Sequence, residues 1–149
     1  MDEPPGPVAR ECVEGYLFAR DPLRLLIFRR PPSRGAIWVP ISGKVEPSDR
    51  DLESALRREL AEETGLTRPT AVDPLDWHVR FRADNGEVWR LHAFAVEVPS
   101  SFEPRLSSEH EASEWVGAEE ARRRLHYEDN RAAVDRLVER VAPPAARNA

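Results

Sequence analysis

The chain has one cysteine, Cys12, and one lysine, Lys44. A lone cysteine excludes an intrachain disulfide and any zinc site built from cysteines alone. Long apolar runs are also missing: the longest, LLIF at residues 25–28, falls far short of the roughly 20 residues that cross a bilayer. The opening MDEPPGPVAR is acidic and proline-rich and has no apolar segment, so it does not read as a secretory signal. These absences lead us to expect a soluble, cytoplasmic protein with no membrane partner. An excess of positive charge is lacking too. The formal net charge is −5, whereas domains that coat duplex nucleic acid carry a strong basic excess, so general duplex binding is not expected.

What is present is a globular composition. With 149 residues, 40% of them hydrophobic, the chain can bury a core of its own. Residues 1–9 read as a flexible N-terminal arm, 10–141 as a single domain and 142–149 as a flexible C-terminal tail. RECVEGYLF and LRLLIFRR read as strands around the turn ARDP, the second being a short apolar run of the kind buried in a sheet. RRPPSRG is a loop, and AIWVPIS a short strand broken by Pro40. LDWHVRFRA alternates Trp77, Val79 and Phe81 with His78, Arg80 and Arg82. The turn DNGE and the return strand VWRLHAFAVEV complete a hairpin, since asparagine and glycine accept the positive φ such turns need. EASEWVGAEEARRRL gives a strand, a turn and a helix, and EDNRAAVDRLVERV a terminal helix with Ala133, Leu137 and Val141 at helical intervals. The irregular mixture predicts an α+β fold, a mixed β-sheet sandwiched between α-helices.

One stretch carries chemistry: LESALRRELAEETGL, Leu52 to Leu66. On a wheel of about 100° per residue, Glu59 and Glu63 fall on the stripe of Leu52, Ala55, Leu56 and Leu66, with Glu62 at its margin. Each buried, unpaired carboxylate would cost several kcal/mol, so something positive must meet them. A charged face paired with arginines is one answer. The i, i+3, i+4 spacing of Glu59, Glu62 and Glu63 suggests another, three hard oxygen donors in one patch, as Mg²⁺ or Mn²⁺ requires. Gly65 closes the helix as a cap residue, and PISGKVEP supplies a glycine-bearing loop before it.

These residues resemble the Nudix hydrolases, whose signature is G-x5-E-x7-R-E-U-x-E-E-x-G-U with U a bulky apolar residue. RELAEETGL, Arg58 to Leu66, matches the second half at every specified position, and Gly43 matches the opening glycine. The spacing from Gly43 to Arg58 is one residue longer than the signature allows, and Asp49 stands where its first glutamate is expected. An extra residue in the loop PSDRD leaves the glutamate register untouched.

The resemblance implies a Nudix fold and hydrolysis of a phosphoanhydride bond. It implies two or more Mg²⁺ or Mn²⁺ ions on Glu59, Glu62, Glu63 and the backbone carbonyl of Ser42, with Arg58 orienting Glu59. The general base would be a glutamate of this signature stretch, the box, or a glutamate of the later loop SSEHEASEW, Glu109 or else Glu111; His110 reads as a packing residue. Arg29, Arg30, Lys44, Arg80, Arg82 and Arg90 are candidate polyphosphate contacts, and Tyr127 a candidate for stacking on a base. The four tryptophans read mostly as core. Similarity to dihydroneopterin triphosphate pyrophosphohydrolases and asymmetric diadenosine tetraphosphate hydrolases implies a small-molecule nucleoside or pterin triphosphate or a dinucleoside polyphosphate as substrate, handled by a monomer or homodimer. A non-catalytic ligand sensor and an RNA 5′-end pyrophosphohydrolase are the alternatives.

Overall fold

A computed structural model describes residues 3–141. Seven strands form one mixed sheet: β1 (Arg10–Ala19), β2 (Arg24–Arg29), β3 (Trp38–Val39), β4 (Ile41–Lys44), β5 (Ala71–Arg82), β6 (Val88–Glu97) and β7 (Ala112–Val116). Three helices cover it: α1 (Leu52–Thr64), α2 (Ala118–Arg124) and α3 (Glu128–Val141). The backbone order is β3-β2-β1-β6-β5, with β4 also on β1 and β7 also on β2. Only the β1–β6 ladder is parallel among these pairs. The expected α+β sandwich is the architecture found.

β1 organises the interior because its side chains alternate between the two faces. Val13 and Leu17 point to the α1 side, where they join Phe28, Ile41, Leu56, Leu60, Phe94 and Val96. Tyr16 and Phe18 point to the other side, with Ile27, Leu125, Val134 and Leu137. One edge of β1 is shared: Cys12 to Gly15 pair with β4, and Leu17 to Ala19 pair with β2. Gly15 lies directly under α1. A Cβ there would come within 2.9 Å of Leu56 Cδ1, so only glycine lets the helix lie this close to the strand.

AIWVPIS breaks at Pro40 as expected, into β3 and β4, because proline cannot donate to a ladder. One local expectation is corrected. β5 begins at Ala71, earlier than the alternation starting at Leu75 suggested, and carries a register shift between Pro74 and His78. It lies at the end of the strand order, and an edge strand tolerates proline. Arg140 braces the irregular stretch, donating to the Pro74 carbonyl at 2.7 Å and to Asp76 at 3.0 Å.

Of the expected N-terminal arm, residues 3–9 are described, and they lie against the β5–β6 hairpin: the Ala9 amide donates to the Val88 carbonyl at 2.8 Å. The expected tail, 142–149, lies outside the described residues. No helix among the described residues is long and apolar enough to cross a membrane.

Candidate active site

α1 starts where Asp51 accepts a hydrogen bond from the Ser54 amide at 2.8 Å, a side-chain cap on an otherwise orphaned donor. It stops where Gly65 takes φ 76 and returns its amide to the Ala61 carbonyl, the left-handed ending that glycine adopts without strain. Between these caps the helix crosses the sheet with Ala55, Leu56 and Leu60 buried. Glu59 and Glu63 therefore face the sheet.

The loop before the helix fits this face closely. Gly43, paired with Val13 across β4 and β1, sits beneath Glu59, and a Cβ at Gly43 would lie 2.1 Å from Glu59 Cδ. The position is a cradle that any side chain would fill. Arg58 ties the parts together. Its Nε and Nη2 donate to the two oxygens of Asp49 at 3.1 and 2.9 Å, and Nη2 also donates to the Lys44 carbonyl at 2.9 Å. Its Nη1 donates to Glu59 Oε1 at 2.9 Å and reaches Glu62 at 3.3 Å. Asp49, a departure from the signature in the sequence, is thus the residue that anchors Arg58, with its side chain only 6% exposed. Hydrogen bonds from Arg58 hold the Asp49 carboxyl below the usual carboxylate range.

The glutamates differ in environment. Glu63 is 7% exposed, and burial, then the adjacent Glu59, then the charges of Glu109 and Glu62 push its pKa well above the ordinary range. It holds a proton when no cation is near. Glu62, at the margin of the stripe on the wheel, is 57% exposed. Among the described residues no three carboxylate, imidazole or thiol side chains stand together as a ready-made metal site. The box is open, and its carboxylates turn to Arg58 and to one another. An open set of hard oxygen donors, with one of them buried and protonated beside a second, suits a divalent cation that would displace that proton.

The loop before β7 closes the other side. His110 is buried against Phe28, with ring centroids 5.3 Å apart. Burial and the nearby Arg30 lower its pKa to about 4, which makes it neutral near pH 7 and supports its reading as a packing residue. Its Nδ1 has no hydrogen-bond partner and lies 3.7 Å from Glu63 Oε1. Glu109 pairs with Arg34, and Glu111 lies 3.0 Å from Arg29.

The structure sorts the cationic candidates into two groups. Arg29 and Arg30, at the end of β2, belong with the Glu109–Glu111 loop. Lys44, Arg80, Arg82 and Arg90 belong with the β5–β6 hairpin. There Lys44 Nζ stands 5.0 Å from the Trp89 ring centroid, and Arg90 is gripped by Glu11 at 3.0 and 2.8 Å. Arg82 donates to the Gly86 carbonyl at 2.8 Å, and Arg80 to the Gly6 carbonyl at 3.1 Å with Glu3 beside it. Tyr127 is exposed before α3, in edge contact with His126. Trp38, Trp77 and Trp115 pack against the cores as expected.

Sequence reasoning passed over Arg34, because a loop arginine has no period to betray it. It also passed over a buried polar chain on the far face: Asn130 Nδ2 donates to Tyr16 Oη at 3.0 Å, and Tyr16 Oη donates to Glu14 Oε1 at 2.7 Å.

A family model described as the NUDIX domain matches residues 13–137. The chain belongs to the Nudix family. The resemblance to the Nudix hydrolases carried by Gly43 and Arg58 to Leu66 is therefore confirmed across most of its length. This Nudix chain is 38% identical over 116 residues to an octanoyltransferase of Myxococcus xanthus, covering 76% of this chain and 32% of that protein. It thus spans about a third of that relative's length. It is also 32% identical over 99 residues to the asymmetrical bis(5′-nucleosyl)-tetraphosphatase of Mus musculus, covering 65% of this chain and 67% of the relative. The fold matches the E. coli dihydroneopterin triphosphate pyrophosphohydrolase with a TM-score of 0.76 at 20% identity, over 91% of this chain and 100% of that one.

Proposed function

We propose that the chain is a divalent-metal-dependent pyrophosphohydrolase acting on a nucleoside or pterin triphosphate or a dinucleoside polyphosphate. The observation that carries this reading is the Gly43 cradle beneath Glu59, with Arg58 bonded to Glu59 and Glu63 buried on the same face of the helix. Likeness to the mouse tetraphosphatase supports the substrate class.

Glu59, Glu62, Glu63 and the Ser42 carbonyl would hold two or more Mg²⁺ or Mn²⁺ ions. Bound there, the ions would offset the charge of the polyphosphate and lower the pKa of the attacking water. Arg58 fixes Glu59 in direction through a charge-assisted bond, and Asp49 in turn fixes Arg58. A glutamate of the signature, or else Glu109 with Glu111 next in line, accepts the proton of the attacking water. Arg29 and Arg30 contact the phosphates at that end of the site. The unit that carries this activity is residues 10–141, acting in the cytoplasm as a monomer or homodimer.

The test is a substrate panel with Mg²⁺ and separately with Mn²⁺: nucleoside triphosphates, oxidised dGTP, diadenosine tetraphosphate, dihydroneopterin triphosphate, ADP-ribose and triphosphorylated RNA, with products identified by mass. Metal-dependent cleavage of a triphosphate or tetraphosphate is expected. Preference for RNA would replace the small-molecule reading, and metal-bound protein silent on the whole panel would favour a ligand sensor.

A further inference from the structure

The loop that carries both candidate late-loop bases is held from one side by arginines. Arg29, the last residue of β2, engages Glu111, and Arg34, from the segment between β2 and β3, engages Glu109. Arg34 is not on a floppy loop. Pro31 and Pro32 open a single 3-10 turn over Pro32–Arg34, in which the Arg34 amide donates to the Pro31 carbonyl at 2.8 Å and Gly35 follows with φ 96. Proline restricts this backbone before any ligand arrives, so the guanidinium is presented from a stiff turn.

Its partner stands at the edge of the box. His110, the chain neighbour of Glu109, places its Nδ1 3.7 Å from Glu63 Oε1, which brings the Arg34–Glu109 pair beside the carboxylates. A cluster of guanidinium groups therefore rims the same patch as the carboxylates. A carboxylate paired with a guanidinium is a poor proton acceptor and a poor metal ligand. Yet the pair is held weakly: Arg34 and Glu109 side chains are 49% and 50% exposed, and ion pairs open to solvent to this degree contribute little to stability. A polyphosphate offers the guanidinium a denser anion with bidentate geometry.

We propose that Arg34 is a substrate-operated latch. Before substrate arrives it holds Glu109; when a polyphosphate chain enters, the guanidinium transfers to a phosphate and leaves Glu109 free beside the box. The latch rests on the pyrophosphohydrolase reading above and adds a positioning residue to it, one that ties release of the base to occupancy of the phosphate site. No covalent change is involved; one ion pair is exchanged for another.

The test is a double-mutant cycle on the full chain at saturating Mg²⁺. Binding of imidotriphosphate, a chain that resists hydrolysis, is measured by calorimetry for the wild type, Arg34→Gln, Glu109→Gln and the double variant, alongside kcat and KM on the substrate that the panel identifies. Arg34→Gln should weaken binding about tenfold, the worth of one charged hydrogen bond, and raise KM more than it lowers kcat. Arg34→Lys should recover part of the loss. Glu109→Gln should tighten binding when Arg34 is present, because it frees the guanidinium, and should not tighten it in the Arg34→Gln background. An equal effect of Glu109→Gln in both backgrounds, or unweakened binding by Arg34→Gln, overturns the latch while the pyrophosphohydrolase stands. A wild type that neither binds imidotriphosphate nor turns over any polyphosphate overturns both. Thermal midpoints check that the variants are folded, since a half-exposed pair contributes little to stability.

Discussion

Asp49 grips Arg58 at two points, taking Nε on one oxygen at 3.1 Å and Nη2 on the other at 2.9 Å. This fork sets the plane of the guanidinium, and with it the direction of the Nη1 group that meets Glu59. Replacing Asp49 with Ala should therefore lower kcat by about 10- to 100-fold, as loss of an outer-shell partner does, with a smaller change in KM. Steady-state kinetics on the identified substrate decide it: a kcat equal to that of the wild type would show that Arg58 needs no anchor.

Gly43→Ala places a methyl group 2.1 Å from Glu59 Cδ, so the carboxylate must swing away. Displacement of about 1 Å at a reacting group can cost about a hundredfold in rate, and that loss is expected while circular dichroism still reports a folded sheet. Normal turnover by Gly43→Ala would mean that the cradle is incidental.

Divalent cations should stabilise the protein by mass action, by about 2.7 kcal/mol at a concentration one hundred times the dissociation constant. Because Glu63 holds a proton in the metal-free form, binding must release it, and affinity should rise with pH. Thermal unfolding with Mg²⁺, Mn²⁺ or chelator at several pH values measures both effects. Glu59→Gln should remove most of the metal-induced shift and lower turnover by about three orders of magnitude, several kcal/mol of transition-state stabilisation. A shift that survives Glu59→Gln in full would place the ions elsewhere.

Glu14 gives a separate pH prediction. Burial raises its pKa from 4.5 to about 8 despite the bond from Tyr16. Below pH 4.5 the folded and unfolded chains both hold the proton, and the group costs nothing extra. As pH rises through the window up to about 8, the unfolded chain ionises freely and the folded one resists, so stability falls. Each unit of separation is worth about 1.4 kcal/mol, an upper estimate for a group whose surroundings can relax. Glu14→Gln cannot ionise and still offers an oxygen to Tyr16. Urea denaturation across pH should show the variant gaining on the wild type through that window; a gap independent of pH would rule out the ionisation argument.

Much of the site was legible because its signals are local. The i, i+3, i+4 glutamates, the left-handed cap at Gly65 and the loop glycine at Gly43 all lie within one helix and its approach. The role of Asp49 was hidden because it depends on a fork to Arg58 that spacing cannot show, and Arg34 was hidden because Glu109 lies far along the chain. Arg80 and Arg82 do alternate as read; what the alternation could not reveal was that Glu3, Gly6 and Gly86 meet them. At the level of the fold, strands and helices fell where apolar periodicity put them, except that Pro74 hid the start of β5, which only an edge position permits.

The parallel ladder from Arg10↔Trp89 to Phe18↔Glu97 has a consequence for how the molecule assembles. It joins segments far apart in sequence, and the loop closure this demands makes such pairing slow relative to the antiparallel contacts of β1 with β2 and β4. As the chain leaves the ribosome, β1, β2, β4 and α1 are all available before β6 exists. The half that bears Gly43 and Glu59 can thus collapse first around Leu17, Ile41 and Leu56, with the β6 edge of β1 still open. Arrival of β6 closes that edge and, by docking against Tyr16 and Phe18 together with α3, commits the second core.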